Sequence, residues 1–581
     1  MAENPWPRWA QELSEKYFSG AYVQFILHEN VHDLVPLRRN GALEFLSLKD
    51  FLQKGLFSAR QIVFDYDRGG GLSFATNEMQ ADFRSALSGY DAFHGSSFSG
   101  GLPRNPDGVM NILDNYLRLR LLDNRKIAFS LSFAETIAPA GNPQSLSAED
   151  RNALVILKRW AQNPTFLRQD VTICLIAENL LEVNQSIVQH PGVAPVSIPL
   201  PDEAERLEFI TWQLAQTALP EGSDVAPAQL AALTSGLKRV QLQGLLAHAH
   251  HNKIPLTAKE LGRRKREMIE AESGGMLEFI QTRFTLSNVS GSAAAKQMLT
   301  DAATAIRAGR SDVVPMGYVL CGPVGTGKTF LATCFAGDVG IPAVVLKNFR
   351  SMWQGQTEGN LQRVLALLKA MSPIMVIVDE ADAQLGDRSS SGDSGVSGRV
   401  FAQVAQFMGN TENRGKVIWF LLTCRPDLLP VDLKRQGRAE EHLALFYPDT
   451  DEDRMSMLRA MMKKTGVSLA SPEVEKLFLE KAGTMSGADI EAILVRASMK
   501  SALEKETSVD AADLTHVLED FIPPSYPNEI EMQTLIAVSE CTRRSLLPEK
   551  YRQMPRAEIA ERLAQLKLLV AFSHRRMSLK E

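Results

Sequence analysis

The sequence has little of what marks secreted, membrane-spanning or nucleic-acid-binding proteins. Its five cysteines are scattered, odd in number and without CxxC spacing, which fits a reducing compartment and excludes a disulfide scaffold. No apolar run is long enough to cross a membrane, and the N-terminus lacks a basic stretch leading into an apolar one. The formal net charge of -5 gives no basic excess to favour a nucleic acid as partner. Composition therefore predicts a cytoplasmic protein with no membrane association.

What the chain does have is length and an ordinary share of apolar residues. Its 581 residues exceed what one hydrophobic core usually holds, and 45% of them are hydrophobic. We therefore expect about three or four compact units.

The clearest motif is a phosphate-binding loop, GPVGTGKT, at residues 322–329. It lies between an apolar run at 317–320, predicted as a strand, and a helical pattern from Phe330. Its glycines let backbone N–H groups point at phosphate oxygens, while Lys328 would reach the β and γ phosphates and Thr329 would hold Mg²⁺. The predicted nucleotide-binding residues are Gly322, Pro323, Val324, Gly325, Thr326, Gly327, Lys328, Thr329 and Phe330.

A second motif places two carboxylates at the end of an apolar strand. The run Ile374–Val378 is followed directly by Asp379 and Glu380, as in a Walker B motif. Asp379 is predicted to bind Mg²⁺ through water, and Glu380 to polarise the water that attacks the γ-phosphate. The two motifs together predict an ATP hydrolase with ATP and Mg²⁺ as cofactors.

Three further segments resemble one protein family. TCRPDLLPVDLKRQGRAEEHL at 423–443, SGADI at 486–490 and FTLSNVSG at 284–291 are similar to motifs of the AAA+ ATPases, in the AAA clade in the strict sense. That clade includes proteasomal ATPases and protein segregases, and the resemblance covers roughly residues 284–522. It implies an α/β P-loop NTPase fold, a parallel sheet flanked by helices, with an α-helical lid.

The same resemblance implies where the base and ribose bind. Segment 284–291, with Val289, would touch adenine. Ser486 would cap a lid helix whose start, at Gly487 and Ala488, lies over the base and ribose.

Carried over by position, Arg438 resembles the family's arginine finger. It would reach the γ-phosphate held by a neighbouring subunit, so the resemblance implies a homo-oligomeric ring, a hexamer. Cys424 stands where the family has the sensor asparagine that orients the attacking water, and a thiol is a weaker hydrogen-bonding group. Glu441 stands where the family has a second arginine. Both departures predict slow hydrolysis.

A pore loop is the interpretation we favour for the sequence SMWQG at 351–355. It resembles the loop with which AAA rings grip an unfolded polypeptide, and Trp353 would make that contact through its apolar area. The alternative is that Trp353 belongs to the core, although its polar neighbours favour the pore.

An internal repeat accounts for the first half of the chain. The predicted strand Val171–Ile176 and the predicted strand at 417–422 lie 246 residues apart (417 − 171), and Pro201 and Pro448 lie 247 apart (448 − 201). The order of the elements around them is the same. The sequence thus predicts two tandem AAA-type modules.

The chemistry of the first module is predicted to be missing. Its opening strand at 22–27 is not followed by Gly-Lys-Thr. An offset of 246 places Phe133 and Ala134 where the second module has Asp379 and Glu380. Without the lysine and the paired carboxylates, triphosphate and Mg²⁺ lack their usual ligands. We expect a degenerate, structural module.

Six segments are expected in chain order. They are a degenerate AAA-like α/β core (1–200), its helical lid (201–262), a linker helix (263–283), an active AAA core (284–447), its helical lid (448–522) and a C-terminal helical extension (523–581).

The function predicted from these patterns is an ATP-driven protein-remodelling ring of the unfoldase, segregase or disassembly-chaperone type, with hydrolysis in the second module only. Protein is the expected substrate. One alternative is a nucleotide-gated scaffold or assembly factor for a larger complex, which Cys424 and Glu441 favour. The other is a nucleic-acid motor or loader, which the mildly acidic balance disfavours.

Overall fold

The computed structural model describes residues 6–39, 41–94, 98, 106–142, 144–347, 357–386, 396–483, 485–503, 506–522 and 526–578. The chain divides into two compact units, Met1–Ile269 and Glu270–Glu581. Each unit is built on a six-stranded sheet.

The first unit contains eight described strands. They are β1 (Gln24–Glu29), β2 (Val35–Arg39), β3 (Ala42–Leu46), β4 (Ile62–Asp67), β5 (Gly71–Phe74), β6 (Ile127–Ser132), β7 (Val171–Ile176) and β8 (Val193–Ile198). Its α-helices are α1 (Arg8–Phe18), α2 (Leu48–Phe51), α3 (Asn77–His94), α4 (Pro106–Leu122), α5 (Ala148–Gln162), α6 (Pro164–Arg168), α7 (Gln185–Val188), α8 (Glu203–Gln216), α9 (Pro227–Leu233), α10 (Arg239–His251) and α11 (Ala258–Glu272), whose last turn crosses into the second unit.

The sheet of the first unit has the order β8-β1-β7-β6-β4-β5. All neighbours pair in parallel except β5, which returns from β4 as an antiparallel hairpin. The central strand β7 is buried along its whole length, as a parallel strand with helices on both faces must be. Strands β2 and β3 form a separate two-stranded sheet between β1 and α2.

The second unit contains six described strands and the remaining helices. The strands are β9 (Leu277–Phe279), β10 (Gly317–Cys321), β11 (Ala343–Leu346), β12 (Ile374–Val378), β13 (Val417–Thr423) and β14 (Glu441–Ala444). The α-helices are α12 (Ala293–Arg307), α13 (Lys328–Val339), α14 (Thr357–Ala370), α15 (Ala381–Leu385), α16 (Val396–Met408), α17 (Asp451–Thr465), α18 (Pro472–Lys481), α19 (Gly487–Leu503), α20 (Ala511–Asp520), α21 (Pro527–Glu540), α22 (Glu549–Arg552) and α23 (Arg556–Ser578).

The sheet of the second unit has the order β14-β10-β13-β12-β11-β9. It repeats the order of the first sheet strand for strand, and again only the last strand is antiparallel. That last strand has a different origin, because β9 precedes β10 in the chain whereas β5 follows β4. The predicted α/β fold with two tandem AAA-type modules is confirmed.

Strand pairing shifts the expected correspondence between the two modules by one residue. Ile127 pairs with Val171 in the first sheet, and Ile374 pairs with Val417 in the second. Val171 and Val417 are 246 residues apart, so Ile127 and Ile374 occupy the same place in the sheet at a separation of 247 (374 − 127). The offset of 246 that the sequence suggested for this strand is therefore wrong by one residue.

The end of β6 therefore differs from the sequence-based assignment. Ser132 and Phe133, and not Phe133 and Ala134, stand at the positions of Asp379 and Glu380. Phe133 and Glu380 share a left-handed backbone, with φ of 55° and 47°. The cause is a connection to the next strand that is one residue longer in the first module. Neither Ser132 nor Phe133 carries a carboxylate.

Two helical clusters follow the second sheet. Helices α17 to α20 pack around buried apolar side chains that include Leu458, Phe478 and Ile493. Helices α21 and α23 pack together around Met532, Leu535 and other buried residues. The segment expected as a linker helix is helical only as far as Glu272, and residues beyond it supply the edge strand β9. Among the described residues, no helix is both long and apolar enough to span a membrane.

Candidate nucleotide-binding site

The P-loop (322–329) connects the end of β10 to the start of α13 and packs closely on two sides. A Cβ at Gly322 would lie 2.1 Å from the carbonyl oxygen of Leu445, and one at Gly325 would lie 2.9 Å from Cβ of Ser486. Both glycines also have positive φ, of 142° and 80°. Only glycine permits this approach of the loop to the end of the sheet and to the lid.

The loop presents unused hydrogen-bond donors. In the described part of the chain, no acceptor is recorded for the N–H groups of Thr326, Gly327 and Lys328, which lead into the N-terminus of α13. Such donors at a helix N-terminus suit a phosphate. An open groove of about 750 Å³ is lined by Thr329 and Phe330 of α13 and by segment 281–284. This donor set fits the triphosphate of a nucleotide.

Lys328 lies under the loop, with 9% of its surface exposed. Its Nζ donates to the carbonyl oxygens of Gly322 and Pro323, each at 2.9 Å, and lies 3.2 Å from Sγ of Cys424. The structure thus brings together the P-loop lysine and the residue at the sensor position, at the end of β13. The ammonium is held at the loop by carbonyl groups and needs no carboxylate partner there.

The two Mg²⁺-binding candidates are in contact. The hydroxyl of Thr329 donates to Oδ2 of Asp379 at 2.9 Å, and the backbone N–H of Glu380 donates to Oδ1 of Asp379, also at 2.9 Å. Hydroxyl and carboxylate oxygens are the ligands that Mg²⁺ prefers. These residues fit a magnesium ion. Glu380 itself is exposed and follows the strand in a left-handed conformation.

The residues predicted near the base and ribose lie on two segments, of which the one with Ser486 packs against Gly325 of the P-loop. Ser486 caps α19 reciprocally with Asp489, since each backbone N–H donates to the other side chain. Gly487 and Ala488 form the first turn of that helix. The carbonyl oxygen of Val289 accepts a hydrogen bond from Lys296 at 3.0 Å.

Arg438 makes its contacts away from the P-loop. Its Nη1 donates to the carbonyl oxygen of Asp432 at 2.8 Å, and 12% of the side chain is exposed. Its Nε is buried and has no hydrogen-bond partner among the described residues. Within one subunit, the structure therefore does not bring Arg438 to Lys328 or Glu380.

Glu441 is paired with the C-terminal extension (here helices α21 to α23 and their connections). Its carboxylate accepts from Nε of Arg543 at 3.0 Å and from the hydroxyl of Thr542 at 3.1 Å. Burial would raise the pKa of Glu441, but these hydrogen bonds bring it below its ordinary value. No sequence pattern pointed to Arg543, because about a hundred residues separate the two partners.

Two more residues missed by the sequence patterns hold the P-loop. The N–H of Val324 donates to Oε1 of Gln533 at 3.1 Å, and the carbonyl oxygen of Val324 accepts from the hydroxyl of Tyr447 at 2.6 Å. Gln533 lies on α21 and Tyr447 lies where the sheet leads to α17. Trp353, the pore-loop candidate, lies outside the described residues.

Comparison with known families agrees with this geometry. Residues 2–199 match the family described as AAA+ chaperone, N-terminal Rossmann-like domain, and residues 204–274 match AAA+ chaperone, second helical domain. Residues 318–447 match the ATPase family associated with various cellular activities (AAA).

Individual relatives match at lower coverage. The chain is 26% identical over 384 residues to the Cell division cycle protein 48 homolog of Archaeoglobus fulgidus, covering 59% of this chain and 51% of the relative. It is 30% identical over 225 residues to the Proteasome-activating nucleotidase of Methanothermobacter thermautotrophicus, covering 38% and 54%. It is 32% identical over 203 residues to the Peroxisomal ATPase PEX6 of Penicillium chrysogenum, covering 33% and 14%.

The chain thus spans about half the length of the archaeal relatives and a smaller part of the fungal one. The P-loop, the paired Thr329 and Asp379, the repeated sheet order and the three family matches agree with the resemblance read from the sequence. The chain belongs to the AAA+ ATPases, with N-terminal AAA+ chaperone domains followed by an AAA domain.

Proposed function

We propose that the chain binds ATP and Mg²⁺ at the second module, hydrolyses the ATP, and uses the energy to remodel protein substrates. The observation that carries the proposal is the contact of Thr329 with Asp379 beside the buried Lys328. Three groups that a triphosphate and a divalent ion require are gathered there around unused backbone donors.

The roles of the residues follow from this arrangement. Lys328 and the P-loop N–H groups hold the β and γ phosphates, and Thr329 and Asp379 hold the ion directly or through water. Mg²⁺ supplies charge neutralisation on the phosphate oxygens. Glu380, exposed at the end of β12, accepts the proton of the attacking water, and Cys424 contacts Lys328 at the sensor position.

Hydrolysis is proposed to take place in a homo-oligomeric ring, a hexamer, in which Arg438 acts on the neighbouring subunit. Its separation from Lys328 within one chain supports a role in trans. A guanidinium that stabilises the transferred phosphoryl group in this way accelerates hydrolysis by roughly 10³–10⁵.

Protein substrates are supported by the relatives. One is named a proteasome-activating nucleotidase and another a cell division cycle protein 48 homolog. We propose that Trp353 contacts the substrate and that the protein works in the cytoplasm.

The first module is proposed to be structural. The loop after β1 contains Asp33, which is 2% exposed and accepts from the N–H of Val240, in the first turn of α10, at 2.9 Å. Arg239 lies 3.6 Å from the same carboxylate. A protein carboxylate thus contacts the first turn of the lid helix α10, which supports a module that closes without nucleotide.

A nucleotide-gated scaffold is the second candidate. The weak acceptor at Cys424 and the engagement of Glu441 with Arg543 favour it, because both reduce the groups available for hydrolysis. The two candidates differ in turnover.

The test compares Glu380→Gln with Glu412→Gln, a matched change at an exposed residue away from the site. We expect Glu380→Gln to bind ATP with Mg²⁺ as the unsubstituted protein does, to lose turnover, and to retain substrate protein, while Glu412→Gln behaves normally. Unchanged turnover in Glu380→Gln would remove that residue from the mechanism. Turnover that is negligible in the unsubstituted full chain, with and without unfolded protein, would leave the scaffold as the better explanation.

A further inference from the structure

The C-terminal extension reaches the nucleotide site. Helix α21 packs on the 3-10 turn Pro426–Leu428, which follows the sensor position, and on the edge strand β14. Its apolar face is covered by α23, through buried side chains such as Met532 and Leu566. The helix is therefore held between the second module and the rest of the extension.

The far end of α21 is fixed by charged contacts. Glu540 accepts from Nζ of Lys434 at 3.0 Å and lies 3.1 Å from Nδ1 of His442. Phe446, next to the sheet, stacks on Tyr551 of α22 with ring centroids 5.9 Å apart. These contacts set where the side chains of the preceding two turns of α21 lie.

One of those side chains, Gln533, contacts the P-loop. Its Oε1 accepts from the N–H of Val324 at 3.1 Å, while Tyr447 donates to the carbonyl oxygen of Val324 at 2.6 Å. The hydroxyl of Tyr447 carries its proton at neutral pH and can donate, and burial raises its pKa further, to about 12. The polar groups on both sides of Val324 are thus held from outside the loop.

The loop itself also holds this peptide group, because the carbonyl oxygen of Pro323 accepts from Nζ of Lys328 and from the hydroxyl of Thr326, each at 2.9 Å. The side chain of Val324 is 59% exposed, so Gln533 and Tyr447 supply the contacts to this residue from outside the loop. The orientation of the peptide groups at Val324 determines the direction in which the N–H groups of Gly325 and the following residues point. A hydrogen bond at this position therefore acts on the phosphate-binding groups without touching the nucleotide.

We propose that Gln533 is a positioning residue of the nucleotide site, through which the C-terminal extension holds the P-loop in its phosphate-binding form. The inference rests on the proposed binding of nucleotide at this loop. It adds that affinity depends on a helix outside both the sheet and the lid.

The experiment uses the full chain and two substitutions at one position. Gln533→Met keeps the length and helix propensity of the side chain and removes the acceptor, whereas Gln533→Glu keeps an acceptor oxygen. Gln565→Met, at an exposed position of α23, is the matched control. Tyr447→Phe removes the second hydrogen bond and provides an independent variant.

Two measurements apply to each protein. The first is the Kd of a fluorescent ADP analogue with Mg²⁺, which we expect Gln533→Met to raise by about three- to tenfold, as for the loss of one hydrogen bond. The second is hydrogen–deuterium exchange of the peptide containing Val324 in nucleotide-free protein, which should speed up in Gln533→Met and Tyr447→Phe and stay slow in Gln533→Glu.

The failures are distinguishable. If the unsubstituted protein does not bind the ADP analogue, the proposed function fails first. If it binds and Gln533→Met matches Gln565→Met in both affinity and exchange, Gln533 does not position the loop. Equal acceleration of exchange in Gln533→Glu and Gln533→Met would likewise overturn the proposal, because the acceptor would then not be the cause.

Discussion

Cys424 stands where the resemblance to the AAA family leads us to expect the sensor asparagine. Its sulfur lies 3.2 Å from the ammonium of Lys328, where a thiol is a weak acceptor and cannot offer the donor and acceptor pair of an amide. The residue at this position bears on rate more than on binding, because the phosphates are held by other groups.

We expect Cys424→Asn to raise ATP turnover by about two- to tenfold, the rate equivalent of one hydrogen bond gained in the transition state. Steady-state phosphate release measures it. Cys424→Ala is the control for loss of the thiol and should show no gain. A rate in Cys424→Asn equal to that of Cys424→Ala would show that the sensor position does not limit hydrolysis.

Arg438 carries a second prediction at the scale of single residues. Arg438→Ala should bind nucleotide nearly normally and hydrolyse it slower by roughly 10³-fold, because the lost charge acts mainly in the transition state. Mixed with Lys328→Ala, it should recover part of the activity, since its intact P-loop can use the finger of its neighbour. Absence of recovery in rings shown to be mixed, with no loss in Arg438→Ala alone, would contradict a finger in trans.

At the scale of elements, helix α21 is attached to β14 through a titratable pair. Burial would lower the pKa of His442, but its hydrogen bonds to Glu540 raise it above the ordinary 6.5. Burial would raise the pKa of Glu540, but the hydrogen bonds from His442 and Lys434 bring it below the ordinary 4.5. The stabilisation of docked α21 by His442 is fully present below pH 6.5 and is lost as pH rises through the raised pKa. The stabilisation of docked α21 by Glu540 is present above pH 4.5 and is lost as pH falls through the lowered pKa.

Docking of α21 should therefore be tightest between about pH 4.5 and pH 6.5 and weaken toward alkaline pH. Hydrogen exchange of α21, corrected for the intrinsic rate, measures it between pH 6 and pH 8.5. His442→Gln should flatten this dependence, and His251→Gln, at an exposed residue of α10, should not. An unchanged pH profile in His442→Gln would contradict the assignment.

Which elements could be predicted from the sequence depends on how local their signal is. The P-loop strand, the strand before Asp379 and the capped lid helix at Ser486 each carry their pattern within a few residues, and each forms where expected. The contacts of Gln533 and Arg543 join residues more than a hundred positions apart, so no local pattern marks them. The one-residue shift at Phe133 was not predicted, because a single offset cannot account for connections of different length in the two modules.

At the scale of the molecule, two units share one sheet order and differ in chemistry. The second unit has Lys328 at the loop after β10, whereas the first, after the corresponding strand β1, has Asp33 facing its own lid helix. We expect nucleotide in one unit only.

Titration calorimetry should accordingly give about one ADP bound per chain, and Lys328→Ala should abolish it, because the phosphates lose their lysine. Lys54→Ala, at an exposed lysine of the first unit, should leave the stoichiometry unchanged. Tight binding that survives Lys328→Ala would mean that the first unit holds nucleotide after all.

Phe133 and Glu380 share a left-handed turn, which bears on how the first unit could be engineered. The two modules share the backbone bend at this point, while the side chains and the length of the following connection differ. Substituting Asp and Glu at positions 132 and 133 would place two carboxylates on a suitable bend. It would not create an ATPase, because β1 is followed by a hairpin where β10 is followed by the phosphate-binding loop. We therefore expect that giving the first unit ATPase activity would take a transplanted loop and helix as well as these two point mutations.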